Sequence, residues 1–159
     1  MPKIEIPDGR ADPEVRMWAL RPEMGAAAGA LSHAIYEQSI VPVRERELAR
    51  MRIAQLNDCA ICQQWRKTPG AAGALTEDDY EHVAEWQSYE GFSERERLAI
   101  DYAERFARDH HSLDDAYFAR LRAAYTDAEI LDLTVCIGGW LALGRTMHVL
   151  GIDESCRIG

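Results

Sequence analysis

An all-α fold follows from three observations on the 159-residue sequence. Apolar residues recur at helical spacing, and no stretch sustains period-two alternation between turn signals. Three hydroxyl residues are each followed three positions later by a carboxylate, the pattern of a capped helix start. The length suits one domain with a sizeable core. With 47% hydrophobic and 28% charged residues, the chain has enough apolar surface to fold rather than stay disordered.

The elements follow in order. Residues 1–14, with Pro2, Pro7, Pro13 and Gly9, read as an irregular N-terminal arm, and residues 15–159 as a single helical domain. Pro22 to Ser39 suits a helix whose small residues Gly25, Ala26 and Gly29 permit close approach of another backbone, and Pro42 breaks it. From Val43 to Lys67 the chain is helical on both sides of Asn57-Asp58, where a bend is expected and Asp58 suits the cap of a second helix from Cys59. After the loop TPGAAGA, the signals at Thr76 (TEDD), Ser93 (SERE) and Thr126 (TDAE) open three helices. Phe118, Leu121 and Tyr125 mark a shorter helix between the last two. The charge-free run from Leu133 to Gly144 is 12 residues long, against about 20 for a membrane span. Its helix is expected to be buried nearly all round, inside the subunit or against a neighbour, with Gly138 and Gly139 serving close packing.

Composition excludes several functions. The 27 acidic and 18 basic residues give a net charge of -9, which repels phosphate backbones and anionic membrane surfaces. Neither nucleic acid nor membrane is an expected partner. The N-terminus lacks the layout of a secretory signal, so a cytoplasmic location is expected. Four cysteines, at 59, 62, 136 and 156, in a cytoplasmic chain argue against a structural disulfide framework and for catalysis or metal binding by a close pair.

That pair is Cys59 and Cys62 in "CAICQQWR". On a helix the two lie about 60° apart around the axis, and Arg66 follows Cys62 by one turn on the same side. A first-turn position and a nearby guanidinium both favour thiolate. A thiolate that attacks a peroxide becomes a sulfenic acid, and a second thiol nearby can condense with it to a disulfide. Two other readings stay open: buried core thiols, common for free cysteine, and half of a zinc site, which needs about four ligands. Cys136 and Cys156 form no second paired motif, and His110-His111 is an isolated doublet. His33 reads as a surface or core residue and His82 as solvated. His148 serves the thiols only if the fold brings it to them. Trp65, Trp86 and Trp140 read as packing, with Trp65 also placed to wall an apolar pocket. The acidic run TEDDYE reads as a solvated helix start.

The stretch "ELARMRIAQLNDCAICQQWR", Glu47 to Arg66, resembles the signature segment of the carboxymuconolactone decarboxylase and AhpD-like alkylhydroperoxidase superfamily. "SERERLAIDYAERFA" and "TDAEILDLTVCIGGWLALGRTMHVLGI" resemble the helices that follow, so the similarity runs over roughly residues 15 to 153. The resemblance implies an AhpD-like helical domain assembled as a homo-oligomer, a trimer or hexamer. It implies a thiol-dependent peroxidase or dithiol oxidoreductase acting on small organic hydroperoxides, recharged by a thiol or dithiol reductant. Cys62 would be the attacking thiol, Cys59 the resolving one and Glu47 part of the proton relay. No metal or bound organic cofactor is implied.

One position departs from the family pattern: Arg66 stands where the relay histidine is expected. Arginine stays protonated and stabilises a thiolate without shuttling a proton. If the chain reverses near Asn57-Asp58, Glu47 lies about 15 Å back along one arm and Arg66 about 12 Å along the other, from the helical rise. A Glu47–Arg66 ion pair replacing the relay is the resulting expectation. The alternatives are a non-redox decarboxylase-like enzyme of the same superfamily and an assembly protein that kept the fold without the reaction.

Overall fold

The computed structural model describes residues 2–67 and 73–152, and among these there is no strand. Cys156 and most of the TPGAAGA loop lie outside the described residues. The helices are α1 (Pro13–Arg16), α2 (Pro22–His33), α3 (Val43–Leu56), α4 (Ala60–Gln64), α5 (Glu77–His82), α6 (Glu94–Arg108), α7 (Asp115–Ala124) and α8 (Asp127–Val149). Proline opens α1 and α2, where its missing N–H is no loss. The end of α2 widens into a π turn, Ala34–Gln38.

The centre of the molecule is α3, packed against α6 and α8. Every residue from Glu45 to Ala54 is buried, including Glu45, Arg46, Glu47, Arg50 and Arg52. One apolar cluster joins Ile53 of α3 to Tyr102, Leu121, Leu133 and Ile137. On the other side Leu48 and Met51 meet Tyr80, Val83, Phe92 and Ile100. A helix this polar is buried only where its charges find partners.

Glu47 and Arg50 pair with each other and Arg52 pairs with Glu104, while Glu45, through Arg95, and the neighbouring Arg44 tie α3 to the helix caps. All three predicted capping boxes form, at Thr76/Asp79, Ser93/Glu96 and Thr126/Glu129. Each box carboxylate is also held by an arginine. Arg44 donates to Glu96 at 2.6 Å and to both oxygens of Asp79 at 3.2 Å. Arg95 bridges Glu45 of α3 at 2.9 Å and Glu129 of α8 at 2.6 Å. Asp79 is therefore buried and paired, not a solvated charge.

The expectations about small residues are corrected in part, and α8 is buried on one side within the subunit. Leu133, Cys136, Ile137, Trp140 and Gly144 form the buried face of α8, but Leu131, Val135 and Val149 are 66%, 45% and 58% exposed. Within one subunit α8 is therefore covered on one side only. By length and composition α8 is the one described helix that would reach across a membrane, with 39% of its most apolar window buried in this fold. A Cβ on Gly139 would stand 3.0 Å from Ile35, whereas one on Gly138 would meet nothing closer than Phe106 at 3.9 Å. Only Gly139 serves close packing. Likewise a Cβ on Gly25 would stand 2.8 Å from Trp18, while Gly29 faces open space.

Removing Arg44 should expose how much the caps depend on α3. Arg44→Ala leaves two buried carboxylates without their cation, a loss of about 1–3 kcal/mol after discounting for its partly exposed guanidinium. Burial alone would raise the Asp79 pKa, but hydrogen bonds from Arg44 and Thr76 outweigh it and hold it below the ordinary 3.8. A depressed carboxyl stabilises above its unfolded pKa and loses that stabilisation as pH falls through its folded one. Urea melts of wild type and Arg44→Ala should differ fully at pH 7 and converge below about pH 4.

Candidate active site

The site is built on the turn between α3 and α4. Asn57 ends α3, and Asp58 turns the chain with φ 50°, a left-handed conformation that aspartate tolerates better than most residues. Asn57 Nδ2 donates to the Trp140 and Leu141 carbonyls at 3.3 and 3.4 Å, and Arg145 Nε donates to Asn57 Oδ1 at 3.2 Å. These bonds pin the turn to α8, where a Cβ on Gly144 would stand 2.8 Å from Asn57 Nδ2.

Cys59, not Asp58, caps α4: its sulfur accepts the Cys62 N–H at 3.3 Å. The two cysteines are joined as a disulfide with Cα atoms 5.3 Å apart. Their surroundings differ sharply. Cys59 is 1% exposed, while Cys62 is half-buried.

The side chain that organises the pair is Arg50. Its Nε and Nη2 donate to the two oxygens of Glu47 at 2.8 and 2.7 Å. Nη1 donates to the Cys62 carbonyl at 2.6 Å, and Nη2 also reaches the Trp65 carbonyl at 3.1 Å. The guanidinium stands over the Trp65 ring, 5.1 Å from its centroid. Tyr80 completes the cluster by donating to Glu47 Oε1 at 2.7 Å. Burial and then this hydrogen bond push the Tyr80 phenol above its usual pKa, which keeps it a donor. Glu47 thus reaches the cysteines through Arg50.

The expected Glu47–Arg66 pair does not form. Helix α4 stops at Gln64 and Trp65 is extended, so Arg66 leaves the face that Cys62 occupies. It pairs instead with Glu77 at the start of α5, both contacts 3.0 Å. Tyr80 lies between the two predicted partners, its hydroxyl on Glu47 and its ring 3.9 Å below the Arg66 guanidinium.

The remaining candidates scatter. His33 ends α2. His82 stacks on Tyr89 at 4.2 Å with Nδ1 2.8 Å from the Asp78 carbonyl oxygen. Trp86 donates to Glu104 at 3.0 Å. Cys136 is buried near the Ile35 carbonyl and Asp132, and burial, then Asp132, push its thiol up to about 12. Among the described residues no three His, Cys, Asp or Glu side chains are grouped as metal ligands.

Beside the disulfide lies a cavity of about 350 Å³ lined by both cysteines. Trp18, Ile53, Ile61, Trp140, Leu143 and Met147 make most of its wall apolar, and Arg50, Tyr36, Ser32, Asn57 and Glu14 are its polar members. His148 is not among the lining residues, although Met147 beside it is. Trp65 stands behind the wall, edge-on to Tyr36 at 5.1 Å. Arg50, Tyr80 and Tyr36 escaped the sequence reading. Arg50 had one legible signal, its position three residues after Glu47 on the same helix face; the tyrosines had none, since they arrive from α5 and the π turn.

The arrangement places a dithiol beside an apolar chamber, which fits a redox role. The profile of the Carboxymuconolactone decarboxylase family matches residues 22–105. The uncharacterized protein YnjA of Escherichia coli (strain K12) is 34% identical over 115 residues, 71% of this chain and 63% of that protein. The chain thus spans less than two thirds of that relative. The uncharacterized protein YdfG of Bacillus subtilis (strain 168) is 24% identical, covering 72% of this chain and 79% of its own. Among solved structures, a protein of unknown function from Agrobacterium tumefaciens, proposed to be the antioxidant defence protein AhpD, aligns with TM-score 0.69 and 25% identity over 84% of this chain and 92% of its own. An uncharacterized peroxidase-related protein from Ralstonia eutropha JMP134, described as an alkylhydroperoxidase AhpD core, shares the fold at TM-score 0.65 and 21% identity, over 86% of this chain and 73% of its own. With its all-helical architecture, its Cys59–Cys62 pair and a profile match over more than half its length, the chain belongs to the carboxymuconolactone decarboxylase family in its AhpD-like form.

Proposed function

We propose that the protein is a thiol-dependent peroxidase that reduces small organic hydroperoxides through Cys62 and Cys59. The observation that carries this reading is the asymmetry of the pair: a half-buried Cys62 and a sealed Cys59 on the wall of one apolar cavity. The Cys62 thiolate attacks the terminal oxygen of the hydroperoxide, the O–O bond breaks, and Cys62 becomes a sulfenic acid as an alcohol leaves. Cys59 then attacks the Cys62 sulfur, hydroxide leaves as water, and the disulfide forms. Two thiols are oxidised and one peroxide is reduced.

A thiol or dithiol reductant reverses this by attacking the accessible Cys62 sulfur, which expels Cys59 as a thiolate. The Cys62 N–H already aimed at that sulfur stabilises the leaving charge. A cytoplasmic setting suits the cycle, since reducing systems there return the pair to its dithiol form.

Quantitative thiol labelling before and after one equivalent of tert-butyl hydroperoxide tests the reading. Two thiols should disappear and return with dithiothreitol, and Cys62→Ser should lose none; Cys59→Ser should instead accumulate a sulfenic acid that dimedone traps. No thiol loss in the wild type would sink the peroxidase and leave the non-redox alternative.

Two arginines should respond oppositely. Arg66→Ala removes the Glu77 pair, the contact over the Tyr80 ring and bonds to the Gln63 and Trp65 carbonyls, none of them to a cysteine, and should change the peroxide rate less than about threefold. Arg50→Ala strands Glu47 in the interior and releases the Cys62 carbonyl, so rate and stability should both fall, the latter by about 3 kcal/mol or more. The double variant Glu47→Ala/Arg50→Ala should be more stable than Arg50→Ala alone, because it removes the orphaned charge.

The homo-oligomer is also part of this proposal. Leu131, Val135, Gly138, Ala142, Arg145 and Val149 make one stripe on α8, exposed at every position but the half-buried Gly138. Their spacing alternates between four and three, the helix-packing repeat. The stripe reads the same from either end, so an antiparallel copy would set Leu131 on Val149, Val135 on Arg145 and Gly138 on Ala142. A two-fold contact fits a hexamer of three pairs and not a lone trimer. Val135→Arg, which would set an arginine against Arg145 of the other copy, should halve or further reduce the mass seen by light scattering.

A further inference from the structure

Thiolate attack on a hydroperoxide expels an alkoxide, a strong base that needs a proton as the O–O bond breaks. On the peroxidase reading, the two arginines, Glu47 and Tyr80 do not supply it. Arg66 faces Glu77. Glu47 is saturated by Arg50 and Tyr80. The Tyr80 hydroxyl is committed to Glu47, and the Arg50 donors to Glu47 and two carbonyls.

Tyr36 is placed differently. It lines the cavity together with Cys62 and Arg50, and its hydroxyl has no hydrogen-bond partner among the described residues. The ring is braced edge-on by Trp65 at 5.1 Å and tilted against Trp140 at 6.2 Å. It is carried by the π turn Ala34–Gln38, a helix irregularity that recurs at functional sites because it re-aims one side chain. Ser32 also lines the cavity, but an alkyl hydroxyl is too weak an acid to give up its proton here. We propose that Tyr36 is a catalytic residue that protonates the leaving alkoxide, the part a relay histidine would otherwise play.

The proton balance closes. Tyr36 gives its hydroxyl proton to the alkoxide, which departs as an alcohol while Cys62 becomes a sulfenic acid. The phenolate then takes the proton of the Cys59 thiol, generating the thiolate that attacks Cys62, and the departing hydroxide leaves as water with a solvent proton. Burial, which raises the Tyr36 pKa, keeps the phenol protonated before each turnover and makes the phenolate a ready base after it.

Leaving-group dependence tests this. In Tyr36→Phe, the rate constant for Cys62 oxidation by tert-butyl hydroperoxide should fall by about tenfold or more, within the range general acids contribute. Peracetic acid releases a carboxylate that needs no proton, and its rate should change less than about twofold on the same logic. Reduction of the disulfide by dithiothreitol should be unaltered. An equal loss with both oxidants would mark Tyr36 as a packing residue and overturn the proposal, as would no loss with either. A wild type inert to tert-butyl hydroperoxide would fail the peroxidase reading itself, a result distinct from an active wild type indifferent to Tyr36→Phe.

Discussion

The guanidinium of Arg50 is the point on which the site depends. A buried arginine must place its N–H groups on acceptors or bear a large desolvation cost. Here the fork closes on Glu47 on one side and on the Cys62 and Trp65 carbonyls on the other. The carbonyls belong to the last turn of α4 and the residue that ends it. One side chain of α3 thus sets the height and rotation of a five-residue helix too short to hold itself.

The same economy explains how α3 occupies the centre while carrying so many charges. Its buried charges are answered by groups that other helices need for their own reasons. Glu45 receives Arg95, which also steadies the cap of α8. Arg52 pairs with Glu104, which in turn accepts the Trp86 indole N–H. Arg44, at the edge, holds the caps of α5 and α6. Each pair alone is of modest net value after desolvation. Shared partners fix direction as well as energy, because a carboxylate already held by a cap cannot follow its arginine elsewhere.

Legibility in the sequence tracks the range of the interaction. The three capping boxes, the bend at Asn57-Asp58 and the pairing of the cysteines are set by residues within four positions of one another, and all were readable. The Glu47–Arg66 pairing failed because it assumed that α4 runs on past Gln64. Counting the helical rise says how far a residue lies along an axis, not whether the axis continues. Tyr80 was beyond reach for another reason: it is 33 residues from Glu47 in sequence, and nothing local marks a phenol destined for a distant carboxylate. For α8 the sequence left open what covers the helix, because an apolar run indicates how much surface wants cover, not whether one subunit supplies it.

In the proposed peroxidase cycle, the unequal burial of the two sulfurs would constrain the order of events more than any single contact. With Cys59 at 1% exposure, both an oxidant and a reductant must meet the same atom, Cys62 Sγ. They cannot do so together, so the two half-reactions alternate and each product must leave before the next substrate arrives. The cavity would suit the first visitor of that cycle, a small apolar molecule, because most of its wall is side-chain carbon. The second visitor needs only a thiolate aligned with the sulfur–sulfur bond on the side away from Cys59, with the cap N–H waiting to take the charge. A site with equally open sulfurs would permit attack at either end. In the proposed cycle, sealing one of them would make the direction of electron flow a property of packing.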